Sequence, residues 1–134
     1  MTTKTALARR AELKIAYDAF LAACPTRQLL QTISGKWVTL IVAALGDGSQ
    51  RYSQIAERVA GISPKMLTQT LRTLEADGLI ARTVTPTVPV RVDYTLTDLG
   101  HNLYPLIMSI KDWAEAHMDQ VHRARQNQTP GLSQ

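Results

Sequence analysis

The segment from Ile62 to Ile80 constrains the fold of this chain most strongly, because it marks both ends of a helix. Ser63 is a favourable N-cap residue, and Pro64 suits the first helical position, where its missing N–H costs nothing. Gly78 stands where the C-terminal end of a helix often needs a left-handed residue. Between the ends, an apolar stripe with the spacing of one helix face consists of Leu67, Leu71 and Leu74. The sequence therefore predicts an amphipathic helix with both ends defined.

The opposite face of this helix carries four hydrogen-bonding side chains and no carboxylate, namely Lys65, Thr68, Gln69 and Arg72. Arginine and lysine suit guanine edges or phosphates, and glutamine suits adenine. Threonine can contact a phosphate or a thymine methyl group. The face is therefore suited to DNA, although an ordinary solvated helix face would show the same residue types.

The segments around this helix favour the DNA interpretation. A short helix is predicted over Ser53 to Val59, and residues 60–62 make a tight turn before the capped helix. Beyond it, Leu79 to Pro86 predicts a strand, Thr87 to Pro89 a turn, and Val90 to Leu96 a second strand. The order helix, turn, helix, hairpin predicts a mainly α fold with a small β-hairpin wing, which is a winged helix-turn-helix.

The predicted hairpin would be the wing of this fold. In its second strand Val90, Val92, Tyr94 and Leu96 alternate with Arg91, Asp93 and Thr95, which predicts one buried face. In a winged helix the second helix enters the major groove, and the wing reaches the backbone or the minor groove. Arg82 and Arg91 are predicted to flank the tip and to neutralise phosphates there. The candidate DNA-binding residues are Ser63, Lys65, Thr68, Gln69, Arg72, Arg82, Thr87 and Arg91.

The stretches CPTRQLLQTISGKW and ISPKMLTQTLRTLEADGLIARTVTPTVPVRVDYTLTDLG make the resemblance specific. Over roughly Cys24 to Val121 the chain resembles the HxlR family of bacterial MarR-like transcriptional regulators. This resemblance implies a small homodimeric repressor or activator that binds double-stranded DNA. The N-terminal extension before Cys24 reaches beyond the minimal core of the family. The matching motifs are Cys24-Pro25, Gly35-Lys36-Trp37, Ser63-Pro64-Lys65, the wing from Pro86 to Pro89, and Tyr94-Thr95-Leu96-Thr97.

Length and composition agree with a winged-helix protein. The chain has 134 residues, of which 45% are hydrophobic, as expected for one small globular domain. It contains no apolar run of membrane-spanning length and no signal peptide pattern, so we expect a soluble cytoplasmic protein without a membrane partner. A formal charge of +4 and a pI near 9.5 favour a polyanionic partner.

Both ends of the chain predict helices suited to dimerisation. Ala6 to Ala22 predicts an N-terminal helix, and Thr97 to Arg125 predicts a longer C-terminal one. Pro105 should kink the second helix or mark its start. The apolar stripe of this helix alternates steps of four and three, as in a coiled-coil seam. The stripe contains Leu99, Leu103, Leu106, Ile110, Trp113, His117 and Val121.

We expect both terminal helices to pack against their symmetry mates, and the alternative is that they cover their own wing domain. The predicted organisation is an N-terminal dimerisation extension over 1–23, a winged domain with its dimerisation helix over 24–125, and a disordered tail over 126–134. A two-fold dimer would place two recognition helices about 34 Å apart, which predicts a near-palindromic operator and salt-sensitive binding. A repressor is the expected role, although operator placement decides between repression and activation.

Cys24 is the only cysteine of the chain, so no intrachain disulfide can form. If Pro25 is the first residue of the next helix, the Cys24 sulfur lies near free N–H groups that stabilise a thiolate. Family resemblance implies a redox switch here, because some relatives sense oxidants or electrophiles through a cysteine at the matching position. Oxidation would then give a disulfide between protomers or with a small thiol. The alternative is a buried, unreactive cysteine.

Other functions find less support in the sequence. The segment after Trp37 predicts a core helix, with Val38, Leu40, Ile41, Val42 and Leu45 as its apolar residues, although an aromatic ligand platform is the alternative. The three histidines lack the cluster that a metal site needs, and no cofactor is expected. Nothing supports an enzyme with Cys24 as nucleophile. A regulator controlled by a small-molecule ligand and a winged-helix protein-interaction module both stay open.

Overall fold

The computed structural model describes residues 5–132, with side chains described up to Gln128. Residues up to Gly35 and residues from Lys36 onward form two compact units, and each is described by itself. This division follows Gly35 rather than the predicted boundary after Ala23. The elements in the described range are α1 (Ala6–Ala23), α2 (Pro25–Ile33), α3 (Val38–Leu45), β1 (Gln50–Arg51), α4 (Tyr52–Arg58), α5 (Pro64–Ala76), β2 (Ile80–Thr85), β3 (Arg91–Leu96) and α6 (Asp98–Leu132).

The first unit consists of helices α1 and α2. The Thr5 hydroxyl caps α1 by accepting the Ala8 N–H at 3.1 Å. The side-chain amide of Gln28 in α2 donates to the Ala22 carbonyl of α1 at 3.1 Å, which ties the two helices together. No side chain of α1 is buried in the described chain, although Leu13 and Phe20 are large and apolar. Helix α1 therefore exposes apolar surface that α2, the other helix of this unit, does not cover.

The second unit has one apolar core between its helices and its sheet. Its fully buried side chains include Ile41, Leu45, Ile55, Leu67, Leu71, Leu74, Ile80 and Ile107. Helix α3 is the predicted core helix, and Val38 and Val42 are buried with the rest of its inner face. One member of the predicted core helix was wrong, because Leu40 lies on the outer side of α3 and is exposed. Trp37 is half-buried at the helix start.

The sheet has three antiparallel strands in the order β1-β3-β2. The predicted hairpin is present, with Ile80 opposite Leu96 at its base and Thr85 opposite Arg91 at its far end. The predicted alternation of β3 is not observed, because Val90 is exposed while Asp93 is half-buried. Only the base of the hairpin packs on the core, and the other end projects past it, so burial falls along the strand instead of alternating.

Thr97 directly precedes α6, and its hydroxyl accepts the Gly100 N–H at 3.1 Å and donates to the Gly78 carbonyl at 2.6 Å. Pro105 lies inside α6, so it does not mark the start of that helix. The predicted disordered tail is also corrected, because α6 continues through residues 126–132, and residues 133–134 lie outside the described range. The arginine and glutamine residues between positions 123 and 128 have good helix propensities, which favours the helix up to Pro130.

Helix α6 uses one side to pack on its own unit, and the rest of its apolar surface stays open. Ile107 is completely buried beside α3, whereas Trp113 is 55% exposed. The other exposed members of the predicted stripe are Leu99, Leu106 and Ile110. His117 stacks on Trp113 with ring centroids 4.7 Å apart, and its Nδ1 lies 3.0 Å from the Trp113 carbonyl. The alternative that α6 covers its own domain therefore holds only for the side that carries Ile107.

By length and apolar composition, no single helix in the described range could cross a membrane, and only the bent pair α2 and α3 would pass such a test together.

Candidate nucleic-acid interface

Helix α5 is the second helix of the helix-turn-helix, and its ends are as the sequence predicts. The Ser63 hydroxyl accepts the Met66 N–H at 3.1 Å, and Pro64 is the first helical residue. Gly78 has φ +75°, a left-handed conformation that side chains with a Cβ rarely adopt. The buried stripe Leu67, Leu71 and Leu74 anchors the helix on the core. The position and rotation of α5 are therefore fixed by its caps and by its apolar face.

The outer face of α5 brings together Lys65, Thr68, Gln69 and Arg72, which line one open depression along the helix. Lys65, Gln69 and Arg72 are exposed, and Thr68 is half-buried. Neither Lys65 nor Arg72 forms an ion pair with any residue in the described range. Two unpaired cations and two hydrogen-bonding side chains thus face outward together.

The predicted absence of carboxylates on this face holds only for its first two turns. Glu75 follows Arg72 by one turn and is partly exposed, and its Oε2 lies 3.6 Å from Nε of Arg82 on β2. Arg82 lies opposite Tyr94 in the strand register, so it is next to α5 and not at the wing tip as predicted. Burial raises the pKa of the neighbouring Tyr94, which keeps this hydroxyl protonated beside Arg82.

The tip of the wing lies between Thr85 and Arg91. Arg91 flanks the tip as predicted, and its Nε lies 2.9 Å from Oδ2 of Asp93 on the same strand. The Thr87 hydroxyl donates to the Pro89 carbonyl at 2.8 Å, across the cis Val88–Pro89 peptide bond. Because its proton is used within the turn, Thr87 in the free protein offers only its oxygen lone pairs outward. Val88 is fully exposed, so the tip carries an apolar side chain that the sequence analysis did not select.

The sequence analysis also missed Arg51 and Tyr52, where β1 joins α4. Arg51 is exposed and lines a crevice together with Thr87 and Arg91 of the wing. The Tyr52 hydroxyl donates to the Pro64 carbonyl at 3.0 Å and lies 3.4 Å from Oγ1 of Thr68. Both residues are distant along the chain from their partners, so no local pattern could have selected them.

Cys24 is the N-cap residue of α2, as the sequence predicts, and it is half-buried. The backbone N–H of Arg27, and then that of Thr26, lower the pKa of the Cys24 thiol below its ordinary value. The alternative of a fully buried cysteine is not what the described chain shows. Within the same range, no three His, Cys, Asp or Glu side chains are placed to hold a metal ion.

Known proteins resemble this chain over most of its length. Residues 32–122 match the family model described as HxlR-like helix-turn-helix. The HTH-type transcriptional regulator YtfH of Escherichia coli (strain K12) is 36% identical over 108 residues, which cover 81% of this chain and 86% of that protein. Neither finding depends on the geometry above, and both point to the same fold.

Two solved structures of transcriptional regulators share this fold. The transcriptional regulator YtfH from Salmonella typhimurium superposes with a TM-score of 0.71 at 38% identity, covering 80% of this chain and 96% of that one. Redox regulator HypR in its reduced form gives a TM-score of 0.71 at 35% identity, covering 75% of this chain and 99% of that one. With its capped second helix and its wing, the chain belongs to the HxlR-like helix-turn-helix family of transcriptional regulators, which is not a family of enzymes.

Proposed function

We propose that this regulator binds a near-palindromic operator as a homodimer, with α5 of each protomer in the major groove. The observation that carries the proposal is the outer face of α5, where Lys65 and Arg72 are unpaired and stand beside Gln69 and Thr68. Arg72 suits a guanine edge, Gln69 suits adenine, and Lys65 near the helix start suits a phosphate. A protein-interaction module would more often expose aromatic or aliphatic anchors on such a face.

The wing adds backbone contacts in this proposal. Arg91 at the tip and Arg82 beside α5 are each held by a carboxylate in the free protein. Both would exchange that carboxylate for a DNA phosphate, a substitution that keeps each guanidinium paired. The Ser63 hydroxyl can donate to a phosphate at the helix start, and Thr87 would do so at the wing tip by turning its proton from the Pro89 carbonyl to the phosphate. Their neighbour Arg51 lines the same crevice as the tip and joins the phosphate contacts.

Dimerisation is supported by apolar surface that one copy leaves exposed. Leu106, Ile110 and Trp113 stay exposed along α6, and Leu13 and Phe20 stay exposed on α1. Several exposed apolar side chains along one helix usually mark an interface. A two-fold pair of protomers would bury the same surface of each copy, and would address two half-sites about 34 Å apart.

Control by oxidation of Cys24 is the second part of the proposal. Its lowered pKa and partial exposure favour a reactive thiolate, and the chain is similar to the redox regulator HypR. Diamide would take two electrons and two protons from the thiols of two protomers, forming one S–S bond and the hydrazine. The resulting disulfide between protomers would change the spacing of the two α5 helices, and so release the operator.

Fluorescence anisotropy with duplexes tiled over the DNA upstream of the gene tests both parts. We expect tight, salt-sensitive binding to a near-palindromic tile and weak binding to scrambled DNA. Diamide should release the wild type, whereas Cys24→Ser should stay bound. Equal weak binding to every tile and to duplexes selected from a random pool would overturn the DNA proposal. Equal release of wild type and Cys24→Ser would overturn the redox part alone.

A further inference from the structure

The three threonines in the middle of α5 make different hydrogen bonds. Thr70 donates its hydroxyl proton to the Met66 carbonyl at 2.8 Å, and Thr73 donates to the Gln69 carbonyl at 3.0 Å. This bond to the carbonyl four residues earlier is the usual one for a helical threonine. Thr68 makes no such bond, and its only hydroxyl contact in the described chain is Tyr52. The hydroxyl of Thr68 is therefore oriented by another helix and not by its own.

The Tyr52 hydroxyl occupies the carbonyl acceptor to which the Thr68 hydroxyl would otherwise donate. The carbonyl four residues before Thr68 is that of Pro64, and the Tyr52 hydroxyl donates to it at 3.0 Å. In an α-helix the same carbonyl also accepts the backbone N–H of Thr68. A carbonyl oxygen has two lone pairs, so both are then used. The Thr68 hydroxyl is consequently excluded from the back-bond that Thr70 and Thr73 make.

The hydroxyl protons can be assigned from these distances. Tyr52 has one proton, which goes to the nearer acceptor, the Pro64 carbonyl. The Tyr52 oxygen then accepts the proton of Thr68, at an oxygen separation of 3.4 Å. With its proton directed inward, Thr68 presents only lone pairs and a methyl group to the depression outside α5.

We propose that Tyr52 is a positioning residue that holds the Thr68 hydroxyl off its own helix, so that its oxygen lies where it can accept a hydrogen bond from DNA. As an acceptor, Thr68 suits the exocyclic amino group of adenine or cytosine in the major groove, and it cannot donate to a phosphate or to guanine O6. This inference rests on the proposed function, because it needs α5 in the groove. Tyr52 is well placed for the role, since the preceding strand β1 is paired with β3 and fixes the start of α4.

Binding measured against operator duplexes with each base pair replaced in turn tests the proposal. At one position of each half-site, the wild type should prefer a base with an amino group at the contacted edge by about three- to ten-fold, the value of one hydrogen bond. Tyr52→Phe should lose this preference at that position only, because Thr68 then changes rotamer to donate to the free Pro64 carbonyl, which moves its Oγ1 away from the contacted base. Thr68→Val should lose it equally, and the double variant should lose nothing more.

Thr73→Val is the matched control, because it removes a hydroxyl that is bonded to its own helix. It should keep the preference of the wild type. The inference is overturned if Tyr52→Phe keeps the preference, or if its loss adds to that of Thr68→Val. Should Tyr52→Phe fail to fold by circular dichroism, Thr68→Val alone decides, since an unchanged base preference contradicts the acceptor role. A wild type with no base preference at any position would instead refute the proposed function.

Discussion

Replacing Glu75 by glutamine removes the carboxylate that holds Arg82 in the free protein. The two side chains are 41% and 49% exposed, and the nitrogen–oxygen distance is 3.6 Å. A pair this open to water contributes about 0–1 kcal/mol to stability, so the variant should fold normally. The effect on DNA binding should be larger, because Arg82 would meet a phosphate without first leaving a carboxylate.

The expected magnitude follows from the cost of breaking the ion pair. In the wild type each Arg82 leaves Glu75 before it meets a phosphate, and an exposed pair of this kind is worth about 0.5 kcal/mol. A dimer carries two copies, so Glu75→Gln should tighten operator binding by about 1 kcal/mol, or about five-fold. The slope of the salt dependence should stay near the wild-type value, because both proteins neutralise the same phosphates.

Anisotropy titration at one fixed salt concentration measures this gain in affinity. Glu57→Gln is the matched control, because it makes the same change in charge on exposed α4, where Glu57 pairs with no described cation. It should leave the affinity near the wild-type value. If Glu75→Gln binds the operator no more tightly than Glu57→Gln, Arg82 does not exchange its carboxylate for a phosphate, and the reasoning fails.

Three further predictions follow from single sites. Arg72→Ala should cost about 1–3 kcal/mol of operator binding and relax one base position, and an unchanged preference would remove Arg72 from the interface. In Gly100→Ala the new Cβ would lie 2.1 Å from the Leu79 carbonyl oxygen, which accepts the Thr97 N–H. Urea unfolding should show a free energy of unfolding about 2 kcal/mol lower than that of the wild type, and a gain in stability would contradict the contact. The pH dependence of the rate at which iodoacetamide alkylates Cys24 should have its midpoint at a lower pH than that of free cysteine, since a lowered pKa leaves more thiolate at a given pH. A midpoint at higher pH would refute this prediction.

The sequence predicted the features that depend on neighbouring residues. The caps of α5 follow from Ser63, Pro64 and Gly78, whose conformational preferences act within one turn of helix. The buried stripe of α5 follows from helical spacing, and the start of α2 follows from Pro25. These local signals were enough to identify the fold and the outer face of α5.

Features that depend on distant partners could not be predicted. Strand β1 is two residues long and exists only because Gln50 and Arg51 pair with β3, more than forty positions later. The contacts of Tyr52 with Pro64 and of Glu75 with Arg82 likewise join separate elements. Burial along β3 followed the distance from the core and not the period of the strand, since the hairpin projects beyond the helices.

The central claim is that the outer face of α5 selects the DNA sequence. Selection of bound duplexes from a random pool tests it most directly, with the wild type beside a variant that has alanine at Lys65, Thr68, Gln69 and Arg72. The account predicts that the wild type enriches one near-palindromic sequence, and that the variant, folded by circular dichroism, enriches none. Enrichment of the same sequence by both proteins, or of no sequence by the wild type, would contradict it.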